Sequence, residues 1–331
     1  MPIRLPSNRP ADRFYRGGAR ICAFRAEPPP AGREPEDWIA STTTVAGEAR
    51  TGLTVLPDGP GGAGILLRDA VTADPVHWLG RAHAQRWGAD TRLLVKLLDA
   101  GQRLPVHAHP DDAFAAAHLG RAHGKAEAWY ILSGGTVHLG LRDDIAADRL
   151  AGMVARQETD EMLALLHRVD VHAGDVVWVP PGELHAIGEG VLLLELQQPE
   201  DLSILLEWRG FALDGAADGH VGIGFDRALT AVNRRARSAA EIAGLVHPAP
   251  VGNEGPVLPA AADAYFRLER HVLDGSAVVA AGFAVVVVTA GEVVIGGADA
   301  RAGTTWLIAA AEGDVVASGR GELLVARPPA P

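Results

Sequence analysis

Two short stretches place the strongest constraint on how this chain folds. In one, Gly101 is followed by five residues and then His107-Ala108-His109; in the other, Gly174 is followed by five residues and then Pro180-Pro181-Gly182-Glu183-Leu184-His185. His107 and His109 are two apart behind apolar residues, so on a β-strand both imidazoles leave the same face. Glu127 opens a further strand-like run, EAWYIL, and His185 comes just after the Pro-Pro-Gly turn. Three imidazoles and one carboxylate suit a borderline divalent ion with positions left open for water or substrate. A lone histidine on a strand is ordinarily a surface or hydrogen-bonded residue, and His77, His83, His118, His123, His138, His167 and His172 are read that way.

The spacing of both stretches resembles the two signature motifs of the cupin β-barrels, although Glu189 stands where an Asn often follows. Within the cupins, the strings HPDD (His109 to Asp112), GKAEAWYIL (Gly124 to Leu132) and VPPGELHAIGEGVLLLELQQ (Val179 to Gln198) resemble the type I mannose-6-phosphate isomerases. The resemblance implies a mainly β bicupin, two jelly-roll β-barrels with helical insertions, holding one metal ion at His107, His109, Glu127 and His185. It spans nearly the whole chain but is specific only from about Leu93 to Arg209. The family usually begins its ligand set Gln-x-His, where this chain has His107. The resulting three-histidine, one-glutamate set is familiar from germin-like cupins; it suits Zn2+ first and also Mn2+, Fe2+ or Ni2+.

If Glu127 points into the barrel, period-two alternation sends Lys125 toward the same interior, and the family has a lysine there. Lys125 is therefore a candidate catalytic or substrate-holding cation. The run VLLLELQQ reads as a buried strand with Glu195 and Gln197 on one face. Beyond it the family usually carries a Tyr-Arg pair, then an acidic-aromatic pair and a basic residue proposed to act in catalysis. Glu207-Trp208-Arg209 keeps the latter part, while Ile204 and Leu205 stand where the Tyr-Arg pair falls. The candidate catalytic residues are thus Lys125, Glu127 and Arg209. Trp38 and Ser41 suit either a sugar pocket or the core, and Asp111 and Asp112 suit a capped turn.

With 331 residues, nearly half hydrophobic, the chain is long enough for two cores. Residues 1–250 are expected to form the metal-binding cupin, with a helical insertion at about 145–168 and a helical segment at about 226–245. Arg234, Arg235 and Arg237 are expected on that segment's solvated face. After a linker, HPAPVGNEGP, residues 257–331 return to strands without either motif, which predicts a degenerate cupin with a structural role. Phe14 to Arg92 reads as irregular with short strands, among them Phe14 to Phe24 and Trp38 to Thr44, and Arg92 to Asp99 reads as a strand.

The formal charge of -11 comes without a basic run, which argues against nucleic acid but not against an anionic substrate. Cys22 is the single cysteine, so neither an intramolecular disulfide nor a zinc finger is expected, in keeping with a reducing cytoplasm. The first residues show no apolar stretch and no run reaches membrane length, so neither a leader nor a membrane span is expected, and GHVGIGF lacks phosphate-loop spacing. The expected function is metal-dependent aldose–ketose isomerisation of a small sugar or sugar phosphate, by proton transfer through an enediolate. The alternatives are a cupin oxygenase or oxidase using a redox metal, and a non-catalytic sugar-binding cupin. The oligomeric state is not legible.

Overall fold

A computed structural model describes residues 1–57, 64–248 and 254–331. The described residues are mainly β, in three sheets whose named strands pair antiparallel. A six-stranded sheet runs in the order Val246–Pro248, Asp175–Val179, Glu127–Ser133, Leu192–Gln197, Leu94–Asp99, Glu36–Ile39. A five-stranded sheet runs Ile204–Leu205, His107–Ala108, His185–Ile187, Gly135–Leu141, Leu166–Val171. Strands buried on both faces read as nearly continuous apolar sequence, and Leu94–Asp99 and Leu192–Gln197 are buried throughout. Lys96 and Glu195, charged residues in the middle of these two runs, lie opposite each other in register.

The third sheet has seven strands, built around the long antiparallel pair Arg267–Val279 and Val315–Arg327. Its outermost member is the chain's first strand, Ile3–Leu5, which pairs with Thr305–Leu307. This sheet joins the six-stranded one through a shared apolar core in which Phe266 is fully buried and lies 6.0 Å from Trp178. A polar tie adds to it. The Tyr130 hydroxyl donates to Glu322 Oε1 at 3.3 Å, and the Glu322 carboxylate also accepts from Arg270 and Thr289.

The helical insertion appears as Ala147–Arg156 and Thr159–Ala164, followed by the strand Leu166–Val171. Leu150, Met153 and Val154 recur at helical spacing and pack against Met162 and Leu184. The other helices depart from expectation. Phe14 to Phe24 is not a strand: Ala19–Arg25 is a helix whose first turn is held by Asp99, which accepts from Gly18 N and Arg20 N. That cap comes from a distant strand, so no local signal announces it. Three short helices, Leu67–Ala73, Pro75–Leu79 and Arg81–Trp87, occupy a region read as irregular with strands; each is too short for apolar periodicity to emerge.

The segment 226–245 is also broken, into Phe225–Ala228, the 3-10 turn Leu229–Ala231 and Ala239–Ala243. Between them the backbone bonds to neighbouring loops, Asn233 N to Gly182 O and Arg237 N to Leu141 O. Arg237 is not solvated as expected, because its guanidinium pairs with buried Glu183 at 2.7 Å. Residues 249–253 of the anticipated linker lie outside the described residues. No helix among the described residues is long and apolar enough to cross a membrane.

If Phe266 is a principal tie between the two sheets, Phe266→Ala should cost about 3–5 kcal/mol of stability. Denaturant unfolding checks this, and a loss below about 1 kcal/mol would show that the sheets are held by other contacts.

Candidate metal centre

The two smaller sheets bring the motif residues together. His107 and His185 face each other in register across the five-stranded sheet. Glu127 comes from the six-stranded sheet, where it is flanked by Val179 and Gln197. His109 follows its strand directly, and the turn after Val179 locks onto it, with Gly182 N donating to His109 O at 2.7 Å. Gly182 has a φ of +83°, and a Cβ there would lie 2.9 Å from Ala231 O, so the Pro-Pro-Gly turn uses glycine's freedom.

Each imidazole is oriented by a backbone carbonyl. His107 Nδ1 lies 2.8 Å from Pro105 O, His109 Nδ1 2.7 Å from Leu202 O, and His185 Nδ1 2.9 Å from Glu183 O. A carbonyl only accepts, so Nδ1 carries the proton in all three rings and the Nε2 lone pairs are left to converge. The three histidines can offer ligand atoms within 4.8 Å of one another. His109 Nε2 is 3.0 Å from Glu127 Oε1, and His185 Nε2 is 3.5 Å from Glu127 Oε2.

Neither nitrogen has a hydrogen-bond partner of good geometry, and both are buried. Lone pairs facing a carboxylate without a proton between them repel, and buried orphan acceptors are costly. A divalent cation among them removes both penalties. Burial, the largest influence on each ring, holds His107 well below the usual histidine range and His109 down at about 4, so both are neutral as ligands must be. Burial alone would raise the Glu127 carboxyl, but the Lys125 ammonium helps to bring it well below its ordinary value.

Lys125 lies beside this group, with Nζ 2.8 Å from Glu127 Oε1. Burial opposes its charge, yet the carboxylates of Glu127, Glu195 and Asp201 raise its pKa above the usual lysine value. Arg209 is not brought to the cavity: it is exposed, and its guanidinium lies 3.5 Å from Arg156 O. Trp38 and Ser41 are fully buried, Trp38 donating through Nε1 to Glu36 at 2.6 Å. Asp111 caps Phe114 N and Asp112 accepts from Gly124 N and Gln198 Nε2, so both hold the loop.

The cavity at this centre, of about 560 Å³, also contains residues that the sequence reading passed over. Glu36 accepts from Tyr15 and Trp38, and lies within 3.2 Å of Arg13 and 3.5 Å of Lys96. Burial works against its charge, but Arg13 and Lys96 outweigh it and hold the Glu36 carboxyl well below the carboxylate range. Glu195 goes the other way, pushed up by burial and then by the nearby charge of Glu127. The available signal was a single charge inside an apolar strand, as at Lys96 and Glu195; Arg13, Tyr15 and Glu36 carried none.

No protein-family model matches the sequence. The chain is 34% identical over 149 residues to a mannose-6-phosphate isomerase of Streptococcus mutans, covering 43% of this chain and 46% of that protein. It is 39% identical over 133 residues to the mannose-6-phosphate isomerase ManA of Bacillus subtilis, covering 39% of this chain and 40% of that one. These matches span less than half the length of the relatives. Among solved structures, the mannose 6-phosphate isomerase of Bacillus subtilis superposes with a TM-score of 0.70 at 21% identity, over 98% of this chain and 99% of the other. A mutant phosphomannose isomerase from Salmonella typhimurium superposes with a TM-score of 0.77 at 16% identity, over 99% and 100%.

If the orphaned lone pairs are ligands, the protein should bind about one divalent ion per chain, and the double variant His109→Ala, His185→Ala should lose it. Elemental analysis giving equal metal in the two proteins would rule this centre out. Chelation should likewise lower the melting temperature of the wild type, because an ion that binds only the folded state stabilises it.

The chain is thus similar in sequence to mannose-6-phosphate isomerases over less than half of their length, and in fold to solved mannose 6-phosphate isomerases over nearly all of its own.

Proposed function

We propose that the protein is a metal-dependent aldose–ketose isomerase acting on mannose 6-phosphate and fructose 6-phosphate or a related sugar phosphate. The observation that carries the reading is that Lys125, paired with Glu127, lines the same cavity as His107, together with further buried carboxylates and amines. His107, His109, Glu127 and His185 would hold the ion, with zinc the first choice and manganese, iron or nickel also suited to three imidazoles. When bound, a divalent ion supplies a Lewis acid that polarises oxygens on adjacent sugar carbons.

The remaining work falls to the chain's own groups. Isomerisation moves a proton between C2 and C1 of the open-chain sugar, which requires a base and an acid lining the cavity. Lys125, a buried ammonium at the mouth of the ligand strand, is positioned to hold a sugar oxygen and to offset negative charge developing in the enediolate. Lys96 and Glu195, 3.6 Å apart on neighbouring strands, form a second acid–base pair in the same wall. Arg209 is outside the cavity, so this reading gives it no contact with substrate.

The ligand set alone also suits oxygen chemistry, and a non-catalytic sugar-binding cupin needs only the cavity. Buried amine–carboxylate pairs around the centre favour proton transfer. Turnover in deuterated water should place deuterium at C1 or C2 of recovered sugar, with zinc supporting activity anaerobically. Lys125→Met should lower kcat about 10²–10⁴-fold while metal content stays unchanged. Oxygen consumption with an oxidised or cleaved product would overturn the isomerase reading, and binding without turnover would favour the sugar-binding one.

A further inference from the structure

A phosphorylated sugar brings an anion that is costly to strip of water unless cations or N–H donors receive it. Four basic side chains line the cavity: Arg13, Lys96, Arg121 and Lys125. Three of them are already committed. Arg13 lies 3.2 Å from Glu36 and 3.5 Å from Asp201, Lys96 lies 3.5 Å from Glu36 and 3.6 Å from Glu195, and Lys125 lies 2.8 Å from Glu127. These are buried pairs, and diverting one partner to a phosphate would leave a buried charge uncompensated.

Arg121 is different. Its side chain is 54% exposed, and its ion-pair partner, Glu200, stands 3.9 Å away, at the loose limit of such contacts. Its backbone is fixed, Arg121 N donating to Ala115 O at 3.2 Å, four residues before the lysine beside the metal centre. Arg121 also lines a polar cleft of about 660 Å³, which carries Thr42, Thr43, Thr44 and Arg68 beside the carboxylates of Glu48, Asp90, Glu200 and Asp201. The cleft and the main cavity share Ala46, Gly47, Arg121 and Asp201, so Arg121 stands where the two spaces meet.

We propose that Arg121 determines specificity for phosphorylated sugars by receiving a phosphate at the end of the substrate remote from the histidine centre, with the threonine-lined cleft accommodating it. The proposal deepens the isomerase reading and rests on it for the sugar. Its recognition chemistry is the fork of a guanidinium on phosphate oxygens.

The test is binding of glucitol 6-phosphate and glucitol to the full, metal-loaded chain, two polyols that cannot be isomerised. Calorimetry should give a preference of at least about tenfold for the phosphorylated polyol, the worth of one charged hydrogen-bonded contact. Arg121→Ala should collapse the ratio of the two dissociation constants toward one, Arg121→Gln should do the same, and Arg121→Lys should keep part of it. The proposal is overturned by a wild type without preference, or by a ratio that survives in the alanine and glutamine variants. Should the ratio collapse as expected while no sugar phosphate is isomerised, the isomerase reading fails and the role of Arg121 stands.

Discussion

Three backbone carbonyls, those of Pro105, Glu183 and Leu202, decide what the centre can do. By accepting from Nδ1 of His107, His185 and His109 they fix one tautomer in each ring and aim three Nε2 lone pairs at one point. Outer partners of this kind orient ligands and raise their basicity. The carbonyls lie on different loops, and each loop is held in turn. Glu207 accepts from Val106 N and pairs with Arg103 beside Pro105, Arg237 grips the Glu183 carboxylate, and Leu206 N donates to Val106 O just beyond Leu202. The geometry of the centre is therefore a property of the whole first pair of sheets.

The second organising constraint is charge inside the barrel. Arg13, Lys96, Lys125, Glu36, Glu195 and Asp201 are packed together at a depth where each would be intolerable alone. Buried sets of this kind contribute little net stability, since desolvation offsets attraction. What they supply is a preorganised polar wall in a cavity whose lining also includes Leu98, Leu104, Ile187, Leu205 and Val221.

The fold class and the convergence of His107, His109, Glu127 and His185 were legible because their information is local: a His-x-His on a strand, a glycine-dependent turn and a second strand. The same reading was blind where structure depends on distant partners. The helix Ala19–Arg25 takes its cap from Asp99, and Glu36 owes its charge to Arg13 and Lys96, two side chains far from it in sequence. Arg237 looked like a solvated helix residue because nothing nearby in sequence announces Glu183. Arg209 illustrates the converse: a matching string, Glu207-Trp208-Arg209, delivers Glu207 to the interior while the backbone turns Arg209 outward. Within one turn, the match told which residues are present but not which way they face.

The strand that presents Glu127 also presents Tyr130, three residues on, whose hydroxyl reaches the Glu322 carboxylate of the far sheet. One end of a seven-residue strand thus serves the cavity while its middle is bolted to another structural layer. The C-terminal sheet thus reaches the Glu127 strand twice, through the apolar core and through this polar contact on the side away from the histidines. Substitutions around Glu322, Arg270 and Thr289 can accordingly alter the compliance of the centre without touching any atom that lines it.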